Sequence, residues 1–225
     1  YPLIGNYGVR EERFESESVQ PEGVLARELT DNVAMWLREA GVPAVDHVDT
    51  REFVTEIRDE GAMACGIAAG PDATPEDALA ELDACVHMSA HTDIGATVSV
   101  EEPVVHNPDG EGMRVALVDC GAKGSIVDSL VERDAVVHRV PYDAGVEAVA
   151  AVDPDLLFIS NGPGDPENFE GAADLVEAYA GEMPLAGICL GQQVIAGALG
   201  GRTEKMEFGH RGVNQPVRDV RTDRV

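Results

Sequence analysis

The spacing of apolar residues changes along the chain and predicts two regions of different architecture. From residue 113 onward, short continuous apolar runs alternate with stretches that have helical spacing. Such runs predict strands buried on both faces, and their alternation with helices is typical of a parallel sheet covered on both sides. The predicted strands are 113–119, 135–140, 156–160 and 185–188, and the predicted helices are 125–133, 146–152, 172–179 and a last one that ends near 199.

The region before residue 107 mixes its elements without this regularity. Capping residues, turn residues and apolar spacing predict helices over 33–40, 51–60 and 75–84 and a strand over 63–68. A polar, turn-rich stretch follows and is typical of a connection between domains. We therefore predict an α/β protein: an N-terminal mixed α/β domain (1–107), a linker (108–112) and a doubly wound, parallel-sheet domain (113–225).

The net charge of the chain argues against one class of function and indicates an environment. The net charge is −26, from 42 acidic and 16 basic residues, and the carboxylates are spread along the chain. Phosphate backbones are repelled by such a surface, which argues against nucleic-acid binding. Self-repulsion also destabilises the fold at low salt, and a Debye length of about 3 Å at 1 M salt removes most of it. We therefore expect a protein from a high-salt cell.

The cellular compartment follows from the cysteines and from the apolar runs. No run approaches the roughly 20 residues that a membrane-spanning helix needs, and no secretory leader is recognisable. Four scattered cysteines without a Cys-x-x-Cys spacing argue against a zinc knuckle or a disulfide framework. We therefore expect a cytoplasmic protein without a membrane partner and without a metal site.

The run Leu185–Gln193 carries the most specific chemistry. An apolar strand ends in Gly187-Ile188-Cys189-Leu190-Gly191, and a helix-forming stretch follows at once. This is the pattern of a nucleophile elbow, a sharp strand-to-helix turn that displays one reactive side chain and leaves no room for neighbouring side chains. The helix N-terminus would favour the thiolate, so Cys189 is the candidate nucleophile.

A second loop follows the preceding predicted strand. It reads Asn161-Gly162-Pro163-Gly164-Asp165-Pro166 and would lie at the same edge of the sheet, where parallel α/β sheets bind ligands. Its glycines permit a close backbone approach, so its N–H groups could face the sulfur and receive an oxyanion.

Other reactive residue types have simpler interpretations. Cys120 is predicted to lie in the core, and Cys65 and Cys85 are treated as packing residues because neither has a base or a partner nearby in sequence. Lys123 and Ser125 begin a predicted helix and could bind an anion, although helix capping explains them equally well.

These two loops together resemble the class I, triad-type glutamine amidotransferases. Three N-terminal stretches, Tyr1–Gly8, Val48–Arg51 and Gly61–Met63, and also Phe208–Val217, are similar to the small subunits of carbamoyl-phosphate synthases. The resemblance covers essentially the whole chain.

The resemblance implies a role for each residue of the site. Cys189 would attack the side-chain amide of L-glutamine and form a glutamyl thioester. Gly162, Gly164 and the Leu190 N–H would bind the oxyanion and substrate, and the Gln193 side chain would hold the substrate. Ammonia would pass to a large subunit that makes carbamoyl phosphate from bicarbonate and ATP, for arginine and pyrimidine synthesis. No cofactor is expected in this chain, whereas ATP and Mg²⁺ are expected in the large subunit.

One part of the family pattern is missing. The family uses a His-x-Glu pair as base and orienting residue, and no His-x-Glu occurs in these 225 residues. His47, His106 and His210 are interpreted as non-catalytic. The chain also begins without Met, so we expect a fragment truncated at both ends, with an incomplete amidotransferase domain that is inactive alone.

Alternative functions remain open at this point. The elbow also fits an amidotransferase subunit of anthranilate or guanylate synthesis, and its geometry is shared by α/β hydrolases and cysteine peptidases. The missing His-x-Glu would suit a scaffold subunit that binds and activates a synthetase without hydrolysing glutamine.

Overall fold

The structure is a computed structural model that describes residues 3–61, 63–82, 85–86, 90–206 and 216–225. The strands of this part of the chain are β1 (Val24–Leu25), β2 (Ala44–Val45), β3 (Val104–His106), β4 (Arg114–Asp119), β5 (Val136–Pro141), β6 (Leu156–Ile159) and β7 (Leu185–Gly187). Its α-helices are α1 (Asp31–Glu39), α2 (Thr50–Glu60), α3 (Pro75–Leu82), α4 (Ile94–Val98), α5 (Gly124–Val131), α6 (Val146–Val152), α7 (Glu170–Tyr179) and α8 (Leu190–Ala198).

A five-stranded sheet organises the second half of the chain. Its order is β3-β5-β4-β6-β7, and β5, β4, β6 and β7 are parallel to one another. The class predicted from the sequence, a parallel sheet with alternating helices, is therefore confirmed. The predicted strand limits are also close, since each of these four strands begins and ends within one residue of its prediction.

Both faces of the sheet are covered because side chains alternate along each strand. On β4, Ala116 and Val118 belong to a core that includes residues of α6, α7 and α8. Val115 and Leu117 point the other way, into a second core that includes residues of α5. This is the doubly wound arrangement that the apolar runs predict.

The edge strand β3 was not predicted. It lies before the proposed linker 108–112 and pairs antiparallel with β5, with Val105 opposite His138. The division of the chain into domains at 107 and 113 therefore stays a prediction, and the sheet itself includes residues from both sides of the linker.

The N-terminal part has short elements. β1 and β2 form a two-stranded parallel sheet, and α1 buries Val33 and Leu37. The carboxylate of Asp49 caps α2, accepting hydrogen bonds from the N–H groups of Arg51 and Glu52. The three helices predicted here are thus present, within one or two residues of their predicted starts.

The predicted strand over 63–68 is wrong. The described residues 63–69 form no strand. Gly66 lies so close to α3 that a β-carbon built on it would be 1.9 Å from the carbonyl oxygen of Ala78. Packing of this segment on a helix therefore replaces the strand pairing that its apolar residues favour.

Helices that could cross a membrane are absent from the described part of the chain, because none of them is long and apolar enough.

Candidate active site

Cys189 lies between β7 and α8, at the N-cap position of the helix. Its backbone angles are φ 53° and ψ −110°, a combination that residues other than glycine rarely adopt. Such backbone strain persists only where the surrounding structure enforces it, and it is typical of functional sites. The side chain is exposed. The elbow predicted from the sequence is therefore present, with its cysteine displayed toward solvent.

Two glycines make this turn possible. A β-carbon on Gly187 would lie 2.6 Å from the carbonyl carbon of Gly191, across the turn. A β-carbon on Gly191 would lie 2.2 Å from the carbonyl oxygen of Ile159, at the end of β6. Since β-carbons do not approach backbone atoms so closely, neither position accepts a side chain without a backbone shift.

The second loop begins after β6 and touches the elbow. A β-carbon on Gly162 would lie 2.7 Å from Cδ2 of Leu190 and 2.1 Å from the carbonyl oxygen of Cys120. Gly164 has a φ of 81°, in the left-handed region that favours glycine. The loop therefore lies against the first residue of α8, beside the nucleophile elbow.

Leu190 fixes the start of α8. Its side chain is buried in the core on that face of the sheet, with 2% of its surface exposed. Its N–H is the first of the helix and so has no acceptor within the helix. Gln193, one turn further along, is exposed. Cys189, Gly162 and Leu190 thus lie together, and the roles assigned to them and to Gly164 and Gln193 stay predictions.

Hydrogen bonds join the second loop to the loop that follows β4. The hydroxyl of Ser160 accepts a bond from the N–H of Cys120 (2.9 Å) and donates one to the carbonyl oxygen of Asn161 (2.7 Å). The Asn161 side chain accepts from the N–H of Lys123 (3.1 Å) and donates to the carbonyl oxygen of Gly121 (3.0 Å). These hydrogen bonds fix the position of the loop that contains Gly162 and Gly164.

A buried carboxylate supports this edge of the sheet from beneath. Asp119, at the end of β4, is fully buried and accepts bonds from Nε and Nη2 of Arg139 at 2.9 and 2.8 Å. It also accepts from the N–H groups of Val100 (2.8 Å), Gly121 (3.0 Å) and Ala122 (2.7 Å). Its negative charge is therefore compensated and fully hydrogen-bonded. The sequence analysis assigned no supporting role to Asn161 or Asp119, although a polar residue at the end of an apolar strand was a usable signal.

The other cysteines differ sharply from Cys189. Cys120 is fully buried, as predicted, and burial together with the nearby Asp119 carboxylate raises the pKa of its thiol to about 12. Cys65 and Cys85 are exposed, so the interpretation of these two as packing residues is wrong.

Two of the three histidines named from the sequence, His47 and His106, are described by the structure, and neither lies on the strand or the helix of the elbow. His47 is exposed, and its hydrogen bond with Asp46 raises its pKa. His106 lies on β3, and burial, assisted by the Arg139 charge, lowers its pKa. His210 lies outside the described residues. Within the described residues, no cluster of three or more His, Cys, Asp or Glu side chains could hold a metal ion.

Comparison with protein families adds to this geometry. The family model described as glutamine amidotransferase class-I matches residues 116–225. A second model, carbamoyl-phosphate synthase small chain, CPSase domain, matches residues 1–67. The second match favours a small chain over the anthranilate or guanylate amidotransferases that the elbow alone left open.

Similar full-length proteins point the same way. The chain is 65% identical, over its whole length, to the carbamoyl phosphate synthase small chain of Halobacterium salinarum. It is 40% identical to that of Methanococcus maripaludis and 42% identical to that of Archaeoglobus fulgidus, again over its whole length. The chain spans 63 or 64% of the length of these relatives. The chain is therefore homologous over its whole length to carbamoyl phosphate synthase small chains.

Proposed function

We propose that this chain forms the glutamine-hydrolysing part of a carbamoyl-phosphate synthase. The observation that carries the proposal is Cys189, exposed on a strained backbone at the first turn of α8. The glycines that permit this turn, and the Gly162 loop packed on Leu190, support the proposal because they bring backbone of a second loop against the start of α8.

The chemistry begins with attack of the Cys189 thiolate on the side-chain carbonyl carbon of glutamine. The C–S bond forms and the carbonyl π electrons move to oxygen, giving a tetrahedral oxyanion. Collapse breaks the C–N bond, ammonia leaves with an added proton, and a glutamyl thioester remains. Water then hydrolyses the thioester to glutamate and returns the thiol.

Backbone amides are proposed to stabilise the oxyanion. The N–H of Leu190 is free of helical bonding, and the loop that contains Gly162 and Gly164 lies beside it. A single such donor typically lowers the barrier by about 3 kcal/mol. The exposed Gln193 side chain, one turn into α8, is proposed to hold the substrate.

The proton transfers of this reaction need a base, and no residue of this chain has been assigned that role. The His-x-Glu pair of the family does not occur in the 225 residues. A thiol without a base transfers its proton slowly, and ammonia needs a proton to leave. We therefore expect the 225-residue stretch alone to hydrolyse glutamine at a negligible rate.

Ammonia is proposed to pass to a large synthetase subunit, in which ATP, Mg²⁺ and bicarbonate are used. Such a protein would serve arginine and pyrimidine synthesis. The net charge of −26 supports a high-salt cytoplasm as its environment.

The test uses the full-length protein that contains this chain, together with its large subunit. We expect Cys189→Ser to abolish glutamine hydrolysis and glutamine-dependent synthesis while ammonia-dependent synthesis remains. Cys65→Ser, at another exposed cysteine, is the matched control and leaves both activities intact. Release of ammonia from glutamine by the Cys189→Ser protein would contradict the proposal. Unchanged binding to the large subunit with no hydrolysis by the wild type would instead favour the scaffold function.

A further inference from the structure

A segment near the N-terminus reaches across to the amidotransferase sheet. The carboxylate of Glu15 accepts a hydrogen bond from the N–H of Ser125 (2.9 Å), and the carbonyl oxygen of Glu15 accepts one from the N–H of Gly124 (3.0 Å). These two N–H groups open α5. A residue 110 positions earlier in the chain therefore supplies acceptors for the first turn of this helix.

The helix α5 has no side-chain cap of its own. Lys123 occupies the N-cap position, and its side chain makes no capping bond because it has no acceptor. Hydrogen bonding from Ser125, followed by attraction to Lys123, lowers the pKa of the Glu15 carboxyl. Of the two interpretations left open for Lys123 and Ser125, the capping one therefore describes this helix start, with the carboxylate supplied by the chain itself.

The same segment is held at its other side by an aromatic contact. The ring of Phe14 lies 5.4 Å from that of Trp36 on α1, measured between centroids. The main chain of Phe14 and Glu15 also approaches Gly124, where a β-carbon would lie 3.3 Å from the carbonyl oxygen of Phe14. Adjacent side chains of one segment therefore join α1 to the start of α5.

The start of α5 is in turn connected to the substrate loop. The N–H of Lys123 donates to the side chain of Asn161, which is the residue before Gly162. The Asn161 side chain also donates to the carbonyl oxygen of Gly121, so two hydrogen bonds link the turn that leads into α5 to the glycine loop. Loss of the Glu15 contacts would loosen the turn on which the Asn161 side chain depends.

We propose that Glu15 is a positioning residue for glutamine hydrolysis, acting through the first turn of α5 and Asn161 on the loop of Gly162 and Gly164. The proposal rests on the proposed function, because it assigns that loop to the oxyanion. Its distinguishing consequence is that Glu15 affects reactions which use the loop and leaves the reactivity of the Cys189 thiol itself unchanged.

Two reagents separate these effects in the full-length protein with its large subunit. A chloroketone analogue of glutamine alkylates the Cys189 sulfur with loss of chloride, and the loop is proposed to hold the ketone oxygen during this step. Iodoacetamide alkylates an exposed thiol without such help. Labelling of Cys189 by each reagent is followed by mass spectrometry, and the KM and kcat for glutamine are measured in parallel.

The variants are Glu15→Ala and Glu15→Gln. Glu12→Gln is the control, because its carboxylate has no hydrogen bond or ion pair to the described residues and lies three positions earlier on the same segment. We expect Glu15→Ala to slow chloroketone labelling and kcat about fivefold, equivalent to about 1 kcal/mol, without slowing iodoacetamide. Glu15→Gln retains an acceptor for the Ser125 N–H and so gives a smaller loss.

Each other outcome overturns the positioning role. Equal slowing of both reagents would mean that Glu15 supports the fold in general, and no slowing of either would mean that the contact does not reach the loop. If Glu15→Ala does not fold, the same comparison is made with Glu15→Gln alone, for which about a twofold selective loss is expected from the missing charge. If the proposed function itself is wrong, a different result is expected: the wild-type protein would neither hydrolyse glutamine nor react with the chloroketone.

Discussion

Gly191 and Ile159 meet where the elbow turns into its helix. A β-carbon on Gly191 would lie 2.2 Å from the carbonyl oxygen of Ile159, so α8 begins in direct contact with the end of β6. The strand and the helix can approach this closely only because one residue has no side chain. The same contact places the turn that contains Cys189 next to the end of β6, where the second loop begins.

This contact predicts a loss of stability when a methyl group is added. Gly191→Ala would force the start of α8 away from β6, and we expect the free energy of unfolding to fall by about 2 kcal/mol. Urea denaturation measures the change. Gly197→Ala on the same helix is the control, since its β-carbon would meet nothing within 4 Å, and it is expected to stabilise by up to about 1 kcal/mol. Equal effects of the two substitutions would contradict the close contact.

Alkylation should distinguish the accessible thiol of Cys189 from the buried thiol of Cys120. At pH 8 the folded protein is expected to react with iodoacetamide at Cys189 and to leave Cys120 unmodified. Burial prevents access to Cys120, and a pKa of about 12 leaves only about one thiolate in 10⁴ at that pH. Peptide mass spectrometry reads the sites, and denatured protein, in which Cys120 reacts, serves as the control. Modification of native Cys120 at the rate of Cys189 would show that the end of β4 is open.

The buried ion pair below the loops should dominate the stability of this edge. Arg139→Met would leave the fully buried carboxylate of Asp119 without its cation, and we expect unfolding to become easier by about 3 kcal/mol. Arg114→Met is the matched control, because its partner Asp153 is exposed and such surface pairs contribute little. Chemical denaturation compares the two. A similar small effect for both would mean that water reaches Asp119.

Salt should stabilise the protein. With a net charge of −26, self-repulsion is strong in dilute buffer and is largely screened at molar KCl. We expect the midpoint of thermal unfolding to rise steadily from low salt to 3 M KCl. The same titration with a neutral osmolyte at equal osmotic strength is the control. A midpoint that does not depend on KCl would contradict the expectation of a salt-adapted protein.

The central strands and the elbow could be predicted because local sequence determines them. The continuous apolar run of β4 is buried along its whole length only if the strand is covered on both faces. The glycines at 187 and 191 allow a turn that residues with side chains would prevent. By contrast, β3 was missed because its residues Val104 and Val105 are exposed and become a strand only by pairing with a distant β5.

Contacts between distant residues could not be predicted in the same way. The bond between Glu15 and Ser125 joins residues 110 positions apart, and neither residue alone carries a signal for the other. The compensation of Asp119 by Arg139 likewise depends on the register of β4 with β5. Sequence pattern therefore identifies the nucleophile, whereas the supporting contacts come from tertiary packing.

The antiparallel pairing of β3 with β5 has a consequence for any division of the chain. A polypeptide beginning at Met113 would lack β3 and leave one side of β5 with unpaired backbone N–H and C=O groups. An unpaired edge strand readily pairs with strands of other molecules, so the C-terminal half excised at that point would tend to self-associate.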